Sequence, residues 1–337
     1  MIAVSIDSAR DLLLRLFASK SLFKFDAETL TQRLIEADLR GQHYYGVAST
    51  LRLLDSIAAG DIDPRGRVMK VHETPAIAVL DGSRAAGPIA ATKGMEAAIA
   101  KAKEVGVGTA VVGNSQTLGA AAIYALLAAK QGLIGFVTSS SGGATVAAAG
   151  SNQPAVGNHP MAWAIPVPER TPFVIDFSCG SMSWSDVEEA KRSGVALPPG
   201  AALDENSQPT CDPASAKTLL PMAGPRGFGL SFVCSVLAGG LAGGKLPVRK
   251  KRPGSAEDSQ HFFQAFDPAS FVDPGKLAKE LTTSMDEIRQ RCCGDGTTVR
   301  FPGDEDAGRA ARIESEGIPL DPAIHEELGK RVTGGWQ

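Results

Sequence analysis

Gly108-Thr109-Ala110-Val111-Val112, running on into Gly113-Asn114-Ser115-Gln116-Thr117-Leu118-Gly119, decides the class of fold. A short apolar run bounded by glycine reads as a buried strand, and the small polar residues after it read as a loop that a ligand can approach closely. The same texture extends outward on both sides. Upstream lie a strand from Ala76 to Leu80 and a helix from Thr92 to Val105; downstream lie a helix from Leu118 to Lys130 and a strand from Leu133 to Thr138. Strand and helix alternate, as in an α/β or layered α+β domain. A further strand runs from Pro172 to Phe177, another from Met161 to Ile165, and a long helix starts near Gly227.

The chain ends are helical in pattern. Ala9 to Phe17 and Ala27 to Arg40 carry apolar residues at three- and four-residue spacing, with Asp26 placed as an N-cap. Residues from Pro274 to Gln290 and from Asp304 to Arg331 read the same way, and the two ends are expected to pack together. The implied division is a helical part from residues 1–72 and 274–337 and an α/β part from residues 73–273. Ser139 to Pro154 is too rich in small residues to predict a regular element, and residues 197–222 read as an excursion.

Composition narrows the function. The chain has 337 residues, 43% of them hydrophobic, and a net charge of −3, so no broad basic surface for nucleic acid is present. The tetrad Arg249-Lys250-Lys251-Arg252 reads as a solvated loop. Gly227 to Gly243 is the longest apolar stretch, and its glycines and serines suit a buried helix better than a membrane span. Five cysteines without CxxC spacing or a histidine at ligand distance point to a reducing compartment and to no metal. The first residues lack the basic and apolar regions of a secretory signal.

Four segments carry candidate chemistry. In Gly41-Gln42-His43-Tyr44-Tyr45-Gly46, two of the chain's three tyrosines stand in a glycine-flanked loop, where a phenol offers a ring to stack and a hydroxyl to donate. Gly224-Pro225-Arg226-Gly227-Phe228-Gly229 precedes a helix and is either a phosphate cradle or a plain helix start. Asp176, at a strand end, suits ribose hydroxyls or simply the amides of the next turn. His159, in Gly157-Asn158-His159-Pro160, is a proton donor or a loop brace. His72, His261 and His325 read as structural or surface residues. Neither GxGxxG after a strand nor GxxxxGK[ST] occurs.

Ala37-Asp38-Leu39-Arg40-Gly41, Ala59-Gly60-Asp61-Ile62-Asp63-Pro64, Ala102-Lys103-Glu104-Val105-Gly106-Val107-Gly108, Asn114-Ser115, Gly132-Leu133-Ile134-Gly135, Phe173-Val174-Ile175-Asp176, Gly224-Pro225-Arg226-Gly227-Phe228-Gly229 and Arg300-Phe301-Pro302-Gly303-Asp304 stand in an order and spacing that resembles the malate/L-lactate dehydrogenase type 2 superfamily over nearly the whole chain. The resemblance implies a non-Rossmann fold, with a mixed or antiparallel sheet flanked by helices and a helical domain built from both chain ends. It implies a cytoplasmic homodimer that reduces a small 2-oxo acid or imine with NADH or NADPH. The cofactor contacts it implies are Asp176, Phe177, Ser178, Cys179 and Gly180, then Arg226 and Gly227, then Pro302, Gly303 and Asp304.

Departures from the pattern fall at the substrate. Relatives carry Ser-His-Gly where this chain has Tyr44-Tyr45-Gly46, an arginine at Ser49, a histidine at Thr117 and Thr-Asn where Asn158-His159 stand. Loss of a general acid removes about 10²- to 10⁴-fold in rate, and serine does not replace the charge that grips a carboxylate. The expectation is therefore an atypical, less acidic substrate. Tyr45, Thr117 and His159 are the candidate catalytic residues, and His43, Tyr44, Ser49 and Asn158 are the substrate contacts. A non-redox enzyme of the lyase or isomerase type, or a silent binding protein, is the other reading.

Overall fold

The alternation of apolar runs and helices after residue 75 builds one seven-stranded sheet in the computed structural model, which describes residues 1–250, 259–293 and 298–332. Its strands are β1 (Met69–Glu73), β2 (Ile77–Asp81), β3 (Val107–Ser115), β4 (Ile134–Ser140), β5 (Pro160–Ile165), β6 (Phe173–Ser178) and β7 (Ser259–Phe266). In space they run β1-β2-β3-β7-β4-β5-β6. β2 and β3 are parallel, and every other neighbouring pair is antiparallel.

The helices open with α1 (Ile6–Ser19), α2 (Lys24–Leu39) and α3 (Thr50–Ala58). Next come α4 (Gly87–Val105), α5 (Ala122–Ala129), α6 (Trp184–Ser193) and α7 (Pro225–Cys234). The described chain closes with α8 (Pro274–Cys292), α9 (Asp306–Glu316) and α10 (Pro322–Lys330).

One face of the sheet is covered by α4 and α5. Small side chains let the layers approach: Ala90, Ala91, Met95 and Ala98 meet Ala110, Val112 and Phe263 in one buried cluster. A methyl at Gly108 would stand 1.9 Å from the Ala98 carbonyl oxygen, so only glycine admits this helix-on-strand contact. A second core joins the chain ends, where Leu13, Leu16, Phe17, Leu30 and Leu34 pack with Ile313 and Leu328. The short strand Ile2–Val4 pairs with Ile318–Leu320 and stitches the two termini.

Several expectations are corrected. β7, the central strand, was not anticipated, and neither was β1, which straddles the expected boundary at residue 72. α2 begins at Lys24 behind Phe23, so Asp26 lies in the first turn and is not the cap. Val146–Ala147 and Pro154–Val156 are strands of a small second sheet with Ala202–Leu203, Pro209–Thr210 and Thr218–Leu219, in segments expected to be irregular. The backbone there is paired because neighbouring segments supply partners that local sequence does not reveal.

α9 and α10 pack on the N-terminal helices as expected, whereas α8 sends Asp286 to Arg170 at 2.7 Å. The stretch from Gly227 is buried on one face only, with Phe232, Val233, Val236 and Leu241 exposed on the other. Lys250 is not solvated: its ammonium donates to the Ser140 carbonyl at 2.8 Å and to Gln260 Oε1 at 2.7 Å. Lys251 and Arg252 lie outside the described residues. Among the described residues, no helix is long and apolar enough to cross a membrane.

Gly108→Ala is expected to destabilise the protein by about 1–3 kcal/mol through overpacking of α4 on β3. Equilibrium urea unfolding measures this; a midpoint equal to that of the parent protein would contradict the packing described.

Candidate functional site

The tyrosine turn is built on one buried carboxylate. α2 ends at Leu39, and Asp38 in its last turn is only 1% exposed. Its Oδ1 lies 2.7 Å from His43 Nδ1, and its Oδ2 accepts the Val47 amide at 2.7 Å. Burial raises the Asp38 pKa, and these two hydrogen bonds oppose the rise. A methyl at Gly46 would sit 2.2 Å from the carboxylate, which explains the glycine that closes the turn. The buried Ser49 hydroxyl donates to the Gly46 carbonyl at 2.7 Å, so its proton serves the turn.

On this turn the rings of Tyr44 and Tyr45 meet edge to face at 5.1 Å. Arg52, from α3, lies over the Tyr44 ring at 4.0 Å and donates to the Tyr44 carbonyl at 2.5 Å. The Tyr45 hydroxyl bonds with Ser185, and burial pushes the phenol up to about 12. Tyr45 therefore stays protonated at neutral pH. It is not the acid of lowered pKa that an unassisted proton donor requires.

The second loop comes to meet the first. Gly119 has φ +78°, and a methyl built on it would lie 3.8 Å from Tyr45 Cβ. Thr117, two residues earlier, is exposed. His261 holds this loop from beneath: its Nε2 is 3.0 Å from the Gln116 carbonyl and its Nδ1 is 2.9 Å from Ser139 Oγ.

The third wall is the outer edge of the sheet. Asp176 on β6 accepts from Gln42 Nε2 at 3.1 Å and from the Ala122 amide at 3.1 Å, linking the tyrosine turn, α5 and the edge strand. Phe177 and Ser178 continue the strand opposite Met161 and Pro160. Cys179 then donates its amide to the His159 carbonyl at 3.0 Å, and Gly180 donates to Asn158 Oδ1 at 2.8 Å. Asn158 also donates to the Met182 carbonyl at 2.8 Å, so its amide braces the loop.

The remaining expected cofactor stretches lie along the same edge. The Pro302 carbonyl accepts the Val174 amide at 3.0 Å, and Gly303, at φ +99°, lies against Pro172. Asp304 is ion-paired to Arg289 at 2.8 Å and accepts the Phe301 amide. A methyl on Gly227 would stand 2.6 Å from the Cys179 carbonyl oxygen, while Arg226 beside it is exposed. A cleft of about 230 Å³ opens here between Arg40, Lys130, Val174, Gly303 and Asp306.

His159 lies within the protein, 1% exposed, with Nε2 2.8 Å from Ser235 Oγ. Burial, with the nearby Lys250 charge, lowers its pKa to about 3. Gln42, Arg52, Trp184 and Ser185 were not singled out from sequence. Gln42 stood inside the quoted glycine-flanked segment, but nothing in the sequence around Ser185 links it to Tyr45, 140 residues away.

The site fits a dinucleotide. Gln42 Oε1 and Trp184 Nε1 are buried without a hydrogen-bond partner among the described residues, next to Asp176 and Ser185 respectively. Gly224 and Gly229 have nothing within 4 Å of where a side chain would begin, leaving open backbone around Arg226. Unpaired polar atoms of this kind require a ligand or water. The sheet edge thus combines open backbone and unpaired polar atoms with the phenol and hydroxyl groups of the tyrosine turn.

Comparison with known proteins agrees. Residues 4–329 match the malate/L-lactate dehydrogenase family, and the chain belongs to it, as a nicotinamide-dependent oxidoreductase. It is 30% identical to a malate/(S)-sulfolactate dehydrogenase of Methanothermus fervidus, covering 96% of each chain. The sulfolactate dehydrogenase structure from Methanocaldococcus jannaschii superposes with a TM-score of 0.89 at 26% identity, covering 98% of this chain and 96% of that one. The Δ1-piperideine-2-carboxylate reductase of Pseudomonas syringae gives 0.87 at 25% identity, covering 98% and 100%.

His159 and His261 both have pKa values lowered from 6.5 to about 3 in the fold. The unfolded chain binds these two protons first, so their contribution is complete above pH 6.5 and is lost as pH falls from there toward 3. His159→Gln should flatten the acid-side slope of stability by about one proton. Urea unfolding at several pH values across that window checks it; an unaltered slope would mean the ring is not held neutral.

Proposed function

We propose that this protein uses NADH or NADPH to reduce the carbonyl or imine of a small substrate held between Tyr45 and Thr117. The observation that carries this reading is the convergence on Asp176: the edge strand expected to meet the cofactor and the turn expected to meet the substrate share that one carboxylate. When bound, the nicotinamide supplies a hydride to the electrophilic carbon. Asp176 to Gly180, Arg226, Gly227 and Pro302 to Asp304 would hold the cofactor along the edge, with Arg226 the cation available to its phosphates.

At the substrate, the protonated Tyr45 hydroxyl and the Thr117 hydroxyl donate hydrogen bonds to the oxygen or nitrogen that gains charge. His43, fixed by Asp38 on the same turn, is the proposed proton relay, because the raised phenol pKa makes Tyr45 a weak acid by itself. His159 acts through position, bracing the Asn158 turn and Ser235. An imine arriving as iminium eases the demand for a proton, and the likeness to an imino-acid reductase supports that class. We further propose a homodimer, with the exposed row Phe232, Val233, Val236 and Leu241 covered by the second copy.

Titration with NADH and NADPH, followed by nucleotide fluorescence, should show saturable binding of at least one; binding of neither would end the redox reading. Tyr45→Phe should slow hydride transfer by about 10- to 10²-fold while leaving cofactor affinity unchanged, as expected for a group that acts only at the transition state. Stopped-flow rates equal to those of the parent enzyme across pH would remove Tyr45 from the chemistry.

A further inference from the structure

The structure assigns Arg289 of α8 as the positioning residue of the turn from Phe301 to Asp304, and through that turn of the cofactor; the cofactor half of this assignment rests on the reductase reading above. It gives α8 a role that its sequence does not suggest. The apolar spacing of this helix predicts packing against the N-terminal helices, yet among its 19 residues only Met285 is buried. Apolar burial therefore holds α8 weakly, and charge pairs fix where it lies.

Arg289 grips the turn at both ends. Its Nη2 donates to Asp304 Oδ1 at 2.9 Å and to Oδ2 at 2.8 Å, and its guanidinium lies over the Phe301 ring at 5.0 Å. Asp304 Oδ2 also accepts the Phe301 amide at 2.8 Å, while the Asp304 amide donates to the Phe301 carbonyl at 3.0 Å. The turn so closed is set tightly on the sheet edge. The Pro302 carbonyl accepts the Val174 amide, and a methyl on Gly303 would stand 2.5 Å from the Pro172 carbonyl oxygen. A shift of Asp304 therefore moves backbone that lies directly against β6.

The cation is itself aimed. Asp286, one turn earlier on α8, lies 3.6 Å from Arg289 Nη1 and is held by Arg170 through two hydrogen bonds of 2.7 Å. Arg170 belongs to the segment that leads into β6. The alternating charges of Arg170, Asp286, Arg289 and Asp304 thus tie to one helix both segments that line the 230 Å³ cleft, Thr171 and Pro172 on one side and Gly303 on the other. Isolated pairs at this exposure contribute little, whereas a bidentate, mutually aimed network fixes geometry. Arg291, two residues on, bonds Glu287 instead.

The test reads the turn and the nucleotide separately. Without nucleotide, hydrogen–deuterium exchange of the peptide covering residues 298–306 should run about 10-fold faster in Arg289→Gln, because the turn opens more often. The dissociation constant of whichever nucleotide the parent binds, NADH or NADPH, should rise by about 5- to 20-fold, with the hydride-transfer rate at saturating nucleotide unchanged. Arg289→Lys should recover part of both losses, because the charge returns without the planar stack. Arg291→Gln, which removes the same charge from the same helix, should leave both readouts at parent values. In a double-mutant cycle with Asp304→Asn, the double variant should bind no more weakly than the weaker single variant. Circular dichroism melts confirm that each variant is folded, and Arg289→Lys carries the same test if Arg289→Gln unfolds. Parent-like exchange or a parent-like dissociation constant in Arg289→Gln overturns the assignment, as do additive losses in the cycle, which would mean that Arg289 meets the nucleotide directly. Faster exchange in a protein that binds neither nucleotide upholds the grip on the turn and refutes the reductase reading.

Discussion

The Asp176 carboxylate is the joint on which the site depends. It lies on the last strand of the sheet, burial raises its pKa, and it is held by one side-chain amide from the tyrosine turn and one backbone amide from the start of α5. A buried carboxylate is costly unless hydrogen-bonded, and both partners here come from segments more than fifty residues away in sequence. The turn, the helix and the edge strand are thus positioned relative to one another by a single group. The stretches on either side of it acquire a common floor.

A second carboxylate, Asp38, organises the turn itself. It fixes His43 through one oxygen and the entry into the next 3₁₀ turn through the other, and Gly46 is the residue that leaves it room. The side chains at positions 44, 45 and 49 pack around this carboxylate-held turn. The hydroxyl of Ser49 caps a carbonyl, the two rings pack on one another, and Arg52 closes over them.

Much of this was legible in sequence because local pattern and tertiary role coincide. β3, β4 and β6 are short apolar runs ended by glycine or polar residues, and α1, α2 and α4 carry helical apolar spacing. The stretches expected to meet the cofactor proved to share one edge. β7 escaped because Ser259-Gln260-His261 opens it with buried polar residues, of which His261 bonds Ser139, Ser115 and the Gln116 carbonyl and Gln260 accepts from Lys250. Tertiary hydrogen bonding there overrides what an isolated segment would prefer. Arg52 escaped for a related reason: it reads as an ordinary exposed helical charge until its partners are known.

The placement of β7 at the centre of the sheet has a consequence for biosynthesis. β3 and β4 are close in the chain but do not pair with each other; each hydrogen-bonds the strand that begins at residue 259. Until that segment leaves the ribosome, two apolar strands wait with open edges, the condition under which nascent chains associate wrongly. Loops of more than a hundred residues must then close before the sheet is continuous, so assembly should be slow and late.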